Sequence, residues 1–315
     1  MARATGATTH LHGGFETSYG TKQTELTVLS FNSNDLGAVQ SLNSDTPLGY
    51  GRNTLSPTLG EMDVTGNIEA PIDTRGIGFW LKLLLGTPTT TDNGDGTFTH
   101  VFDSNAVTLP SMTLEKGFPT LSTPTFYVHT GVKADTMGIN FERNGAASAN
   151  FGLIAQNEET VTTQTDATPT AQPLEMFRNS RMTPSVNAAG LAILSGSINY
   201  SNNLDVVKTI RADQKIDGAD EGVVTISGQL TMRFADTTFK TKAENGEALV
   251  DVGFKFETAG GMFLDIVCHE VYLSNPKVGI SGPGGIDVTY DWQAALSDSA
   301  GKMMTITLKN DVAAY

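Results

Sequence analysis

Two-residue alternation is the feature that most constrains this chain. Met137, Ile139 and Phe141 are separated by small or polar residues, and the same period runs through Val223–Phe234, Leu249–Phe256 and Met303–Leu308. A period of two gathers one set of side chains on a single face of an extended strand, so these segments bury their apolar residues only as β-sheet. Turn signals punctuate the runs. Asn144-Gly145 suits the positive φ angles of a tight hairpin leading into a partner strand at Ala146–Ala155, and SGPGG (Ser281–Gly285) marks another turn. With 33 glycines and only 17% charged residues among 315, the composition fits a turn-rich, mainly β protein. The 39% apolar content is enough to offset the ordering entropy of a folded core.

One segment follows a helical period. Ile77, Trp80, Leu81 and Leu84 recur at three-and-four spacing, Asp73 or Thr74 stands where a cap belongs, and Gly86 stands where the helix closes. Phe79, Leu83 and Leu85 lie off that stripe, so the helix is apolar on more than one side. Covering a sheet face is its expected role, and a subunit contact is a second one. Asp236–Asn245 reads as a shorter, polar helix.

The halves of the chain present similar blocks in the same order. Phe31–Leu36 (FNSNDL) is set beside Tyr200–Leu204 (YSNNL), and Val64–Ile68 (VTGNI) beside Ile226–Leu230 (ISGQL), an offset of 226 − 64 = 162. The helical stretches follow, and each half ends in a strand-turn-strand, Met137–Gln156 and Ile286–Asn310. Residues 1–22 read as a coil-like N-terminal arm, and the polar run 157–173 as a linker or long loop between the halves.

Catalytic signatures do not emerge from the residues. His10 and His12 form an HxH pair but lie in expected coil, with no cysteine or acidic ligand placed to complete a metal site. His269 and Glu270 are adjacent on a strand and point to opposite faces. TDNGDGTFTH (Thr91–His100) fits a calcium loop at Asn93, Asp95 and Gly96, yet Phe102 falls where the last carboxylate belongs, and a hairpin turn explains the same residues. No nucleotide-loop, nucleophile-elbow or zinc-protease pattern occurs, so no catalytic residue, cofactor or metal is expected. The only cysteine, Cys268, sits in an alternating run as a small apolar filler and excludes an intrachain disulfide. A net charge of −14 disfavours sequence-specific nucleic-acid readout. No run reaches the roughly 18 apolar residues of a membrane helix, and the first 20 residues lack the apolar core of an export signal.

A resemblance organises these observations. FETSYGT (Phe15–Thr21), Gly51-Arg52, GEMDVTGNIEAPID (Gly60–Asp73), WLKLLLG (Trp80–Gly86), FTHVF (Phe98–Phe102), LPSMTLEKG (Leu109–Gly117) and GVKADTMGINFERNG (Gly131–Gly145) follow one another in residues 15–156. Together they resemble the tail tube proteins, or major tail proteins, of long-tailed bacteriophages and related injection machines. The second half is similar in plan but less specific in its motifs.

The resemblance implies a mainly β fold of two tandem tail-tube-type sandwich or barrel lobes, each with a flanking helix. Residues 1–22 would form an arm, 23–156 the first lobe, 157–175 the linker or inter-ring loop and 176–315 the second lobe. It implies a virion structural protein, made in the host cytoplasm, whose rings stack into a hollow tube that passes DNA without binding it specifically. Two lobes per chain make a ring of three chains the expectation, with six as the alternative. Tape measure, terminator and distal tail proteins are the expected partners at the tube ends. Segments 32–57 and 157–173 are long enough to reach the adjacent ring, and acidic hairpin residues such as Glu142 are candidates for a wall that repels DNA phosphates. A carbohydrate-binding or cell-surface β-sandwich is the competing reading.

Overall fold

In the computed structural model, which describes residues 3–49, 51–280 and 282–315, the alternating segments form long antiparallel strands. The first half contributes β1 (His10–Phe15), β2 (Gly37–Asn43), β3 (Thr58–Pro71), α1 (Ile77–Leu85), β4 (Thr89–Asp92), β5 (Phe98–Asp103), β6 (Met112–Phe118), β7 (Thr125–Phe141), β8 (Ser148–Ala155) and β9 (Asn157–Val161). The second half contributes β10 (Met182–Val186), β11 (Ser195–Ser201), β12 (Thr225–Arg233), α2 (Thr238–Asn245), β13 (Leu249–Glu257), β14 (Phe263–Leu273), β15 (Asp287–Ala294) and β16 (Met304–Asn310). The fold is mainly β with two helices. Ser281 of the expected SGPGG turn lies outside the described residues, as does Tyr50 of segment 32–57.

Strand pairing repeats between the halves. In the first, β1 pairs with β6, β6 with the start of β7, and that part of β7 with β9, while β2 pairs with β3, β3 with β8, and β8 with the end of β7. In the second, β10 pairs with β13, β13 with β14, and β14 with β16, while β11 pairs with β12, β12 with β15, and β15 with the end of β14. Register fixes the equivalence residue by residue. Ile68 opposes Phe151 as Leu230 opposes Tyr290, and Gly66 opposes Leu153 as Gly228 opposes Trp292. The offset is 230 − 68 = 162 in the early strands and 290 − 151 = 139 in the late ones. Helix packing follows the same plan, since Trp80 of α1 stacks on Phe151 and Phe239 of α2 leans on Tyr290.

Several sequence expectations need correction. Register sets Tyr200 beside Ala38, not Phe31, because Tyr200 opposes Ile226 and Ala38 opposes Val64. Ile286–Asn310 is not a hairpin, because β15 and β16 do not pair with each other but follow one another along the same edge of β14, opposite β13; the counterpart of Met137–Ala155 is Pro276–Ala294. Asn144-Gly145 does not make a two-residue turn. Only Gly145 has positive φ (101°), and six residues separate β7 from β8. Residues 10–15 are strand β1 and not coil, since the chain there is zipped to β6 along its whole length. Residues 157–161 likewise form β9, and the following segment folds back on the first half. There Asp166 accepts the Leu26 N–H at 2.8 Å, and Thr170 exchanges backbone hydrogen bonds with Leu26 and Val28.

The two halves share one core. The end of β7 (Thr136–Phe141) pairs with β11, so the sheet β2-β3-β8-β7 continues into β11-β12-β15, and Phe141 stacks on Phe254 with centroids 4.6 Å apart. Helix α1 is buried nearly all round, as its apolar off-stripe residues require. Asp73 caps it by accepting the Gly76 and Ile77 N–H groups, each at 2.8 Å. The C-terminal residues close over the same helix. Arg75 grips Asp311 with two bonds of 2.6 Å, and the Tyr315 ring occupies the space a side chain at Gly78 would need. Hairpin β4–β5, expected from TDNGDGTFTH, extends the second half by pairing with β16.

Trp80 is 1% exposed and leaves a large void when truncated, whereas Phe239 is half-buried. Trp80→Ala is expected to cost about 3–5 kcal/mol and Phe239→Ala distinctly less in urea unfolding monitored by circular dichroism. Equal costs would refute the unequal weight assigned to the two helices.

Candidate assembly surfaces

The continuous sheet has one face packed on the core and one face open. Its open positions are Thr65 and Asn67 on β3, Asn150 on β8, Gly138 and Asn140 on β7, Ser197 and Asn199 on β11, Ser227 and Gln229 on β12, and Thr289 and Asp291 on β15. Alternation along each strand puts short amides and hydroxyls on this face, together with the acidic Glu61, Asp63 and Glu69 of β3 and Asp287 and Asp291 of β15. Arg233 is paired with Asp287 at 3.1 Å and Gln229 donates to Asp291 at 2.8 Å, so part of that charge is already met. Glu142 is exposed in the loop after β7, at the margin of this face.

Edges of the sheet are the second surface. The strand edge at residues 33–38 pairs with β3 alone, and side chains meet it elsewhere. Leu36 N–H donates to Asn34 Oδ1, Leu36 C=O accepts from Lys116 Nζ, and Ala38 N–H donates to Glu158 Oε2. At the opposite end, β14 stops at Leu273 and residues 275–280 run on without a strand partner. By the 139-residue offset, Pro276, Val278 and Ile280 are the counterparts of Met137, Ile139 and Phe141, the residues that face the core where β7 meets β11. Ile280 is 80% exposed.

Two ribbons stand out from this sheet. Residues 44–49 and 51–57 loop out between β2 and β3, above the Asn43–Thr58 pair, and residues 205–220 loop out at the equivalent place between β11 and β12, closed by a short pairing of Asp205–Val207 with Gly218–Asp220. Leu48 and Ile210, again 162 residues apart, are fully exposed aliphatics near the two tips. The second ribbon lies against the root of the first. Met62 N–H donates to Gln214 C=O at 3.1 Å, and Lys208 bridges Asp63 at 2.7 Å.

The remaining polar residues serve the fold. His269 bonds Asp251 and Thr305, each at 2.8 Å, and Glu270 accepts from Tyr272, so the two neighbours face apart as their strand requires. Burial pushes the Cys268 thiol up to about 12. Lys133 is largely buried and held by Glu221 at 2.8 Å, and His129 contacts Glu158 at 2.9 Å. His10 and His12 belong to a strand, and the acidic partner that the sequence did not place is Glu115, on the facing strand β6. Burial raises the Glu115 pKa, but the two imidazoles and Thr165 outweigh it and hold the carboxyl well below its usual range. The signal that could have found it was strand pairing of LPSMTLEKG with the N-terminal segment, invisible without the fold.

No described helix is long and apolar enough to cross a membrane. No curated protein matches the sequence. The family model described as phage tail tube protein matches residues 6–294, which takes in both halves, both ribbons and both helices. The chain therefore belongs to the phage tail tube protein family and is a structural component of the phage tail.

Proposed function

We propose that three copies of this chain close into a ring of six lobes, and that stacked rings form the conduit for DNA. The observation that carries this reading is the β7–β11 pairing. It is a lobe-to-lobe junction already made within the chain, and the edges at 275–280 and 33–38 are its two unmatched halves, the second held within the chain only by the side chains of Asn34, Lys116 and Glu158, which a strand from the next copy would displace. Ring closure repeats the junction between subunits, with residues 275–280 of one copy pairing as 136–141 do and residues 34–39 of the next pairing as 196–201 do. Closure removes both exposed strand edges and buries Val278 and Ile280. The open amide and hydroxyl face then lines the lumen. Short amides and hydroxyls hydrate well, and the carboxylates among them, Glu69 and Asp291 included, repel phosphates, so DNA slides past. Tape measure, terminator and distal tail proteins would meet the two ends of such a tube.

The ribbons supply the contact between rings. Each carries a bare aliphatic near its tip, and the intrachain packing of the second ribbon on the first supports a contact in which neighbouring ribbons brace each other. The inter-ring role falls in this reading to residues 43–58 and 205–220. Segment 157–173, docked on its own lobe, has no part in it.

Two measurements test the proposal. Asn199 opposes Gly138 at the internal junction, so Gly37 and Lys277 are their counterparts at the intersubunit one. The double variant Gly37→Cys, Lys277→Cys should oxidise to a covalent ladder that ends at three chains, about 100 kDa from a 33.4 kDa subunit. A ladder ending at six chains would sink the three-chain ring. Leu48→Asp with Ile210→Asp should leave soluble rings and abolish long tubes by negative-stain microscopy, because a charge cannot be buried unpaired in the next ring. Tubes of normal length in that variant would rule out the ribbon contact.

A further inference from the structure

One cluster of the chain is built as a metal site would be. On β1, His10 and His12 are two residues apart and project from one face, and on β6 Glu115 lies directly opposite His12 while Gly117 lies opposite His10. His12 is 4% exposed and Glu115 fully buried. His10 Nε2 approaches Glu115 Oε1 at 3.6 Å and His12 Nδ1 approaches the same oxygen at 3.5 Å. All three atoms are buried and none has a hydrogen-bond partner. Three unpaired polar atoms facing one point constitute a large desolvation cost unless something occupies that point.

The geometry suits a small cation. Tetrahedral ligands at Zn–N and Zn–O lengths of about 2.0–2.1 Å stand about 3.3–3.4 Å apart, close to both measured separations. The three ligand atoms all lie within 4.8 Å of one another, and the two imidazoles, stacked with centroids 4.1 Å apart and planes 5° apart, must turn out of their parallel stack to bring both in-plane lone pairs onto one ion. A plain His–carboxylate hydrogen bond is shorter, 2.7–3.2 Å for N–H···O. The carboxylate is also held from behind, since the Thr165 N–H donates to Glu115 Oε2 at 2.7 Å and fixes its orientation. Gly117 gives a further, independent sign. Its φ lies outside the left-handed region, so its backbone does not require glycine, but a Cβ there would overlap the His10 imidazole. The glycine keeps open the space in which His10 turns its Nε2 toward Glu115.

We infer that His10, His12 and Glu115 bind one divalent transition-metal ion, Zn²⁺ by the chemistry of two imidazoles and a carboxylate, with water in the fourth position. Two nitrogens and a single carboxylate select Zn²⁺ over Ca²⁺ or Mg²⁺, which require more oxygen ligands. The ion would pin β1 to β6 and, through Thr165, to the segment that follows β9. Its role is structural: it fastens the start of the chain to the lobe.

The full-length protein, stripped with EDTA and titrated with Co²⁺ as a spectroscopic substitute, should take up about one equivalent and develop the intense visible bands of a four-coordinate site. Zn²⁺ at a hundredfold excess over its Kd should raise Tm by about 3–6 °C. His10→Gln should abolish the bands, and Gly117→Ala, which retains every ligand, should weaken binding at least tenfold by displacing the His10 ring. Both variants should match the wild-type Tm in EDTA within a few degrees, which separates loss of the ion from loss of the fold. Absence of a Co²⁺ spectrum and of a Zn²⁺-dependent Tm shift in the wild type would overturn the assignment. So would the same uptake, bands and Tm shift in His10→Gln.

Discussion

The antiparallel junction between the end of β7 and β11 is the interaction on which the rest of this molecule depends. Six residues from each half stand paired in one antiparallel ladder there, and the apolar side of the same ladder sets Phe141 against Phe254. Without it the halves would be two sandwiches with ragged strand edges. With it they become one sheet whose polar side runs unbroken from β2 to β15. Supporting bonds cross the same seam: the buried Asn202 amide donates to Leu84 C=O at 2.9 Å and Ala134 C=O at 3.0 Å. A neutral amide reaching two carbonyls from another lobe specifies one relative placement, because any slip leaves it buried and unbonded.

Burial explains why the repeated plan tolerates so little shared sequence. Equivalent positions are held by Ile68 and Leu230, Phe151 and Tyr290, and Leu153 and Trp292. These pairs share only their direction into the core, and packing permits exchange of apolar shapes when neighbours compensate. The helices diverge further. α1 is sealed under the C-terminal Tyr315 and Arg75–Asp311, while no residue of α2 is fully buried and it works as a lid. One half thus supplies the stable core and the other copies its topology with a lighter cover.

The sequence revealed what depends on period and local spacing. Strand alternation, the Asp73-capped helix, the β4–β5 turn and Cys268 as filler were all legible, because each is decided by residues within a few positions. What needed the fold was decided by partners far along the chain. Residues 10–15 look like coil until their pairing with β6 is known, and Glu115 is an ordinary strand residue until His12 is found opposite it. The Asn144-Gly145 signal was overridden because β7 and β8 separate before reaching it. The Phe31–Tyr200 match failed for a different reason, since short polar strings such as NSND and SNN arise at strand ends of either kind and carry no register.

Hairpin β4–β5 has no counterpart in the second half, where only Gly246, Glu247 and Ala248 separate α2 from β13. It caps the β16 edge, whereas the matching edge of β9 receives no added strand. In the ring proposed above, a hairpin-bearing lobe would alternate with a bare one, whatever the number of copies. The surface at that edge would then repeat once per chain and not once per lobe. Any protein gripping it would have to follow the coarser period, so the doubling that unites the lobes along the shared sheet is broken at the β16 edge.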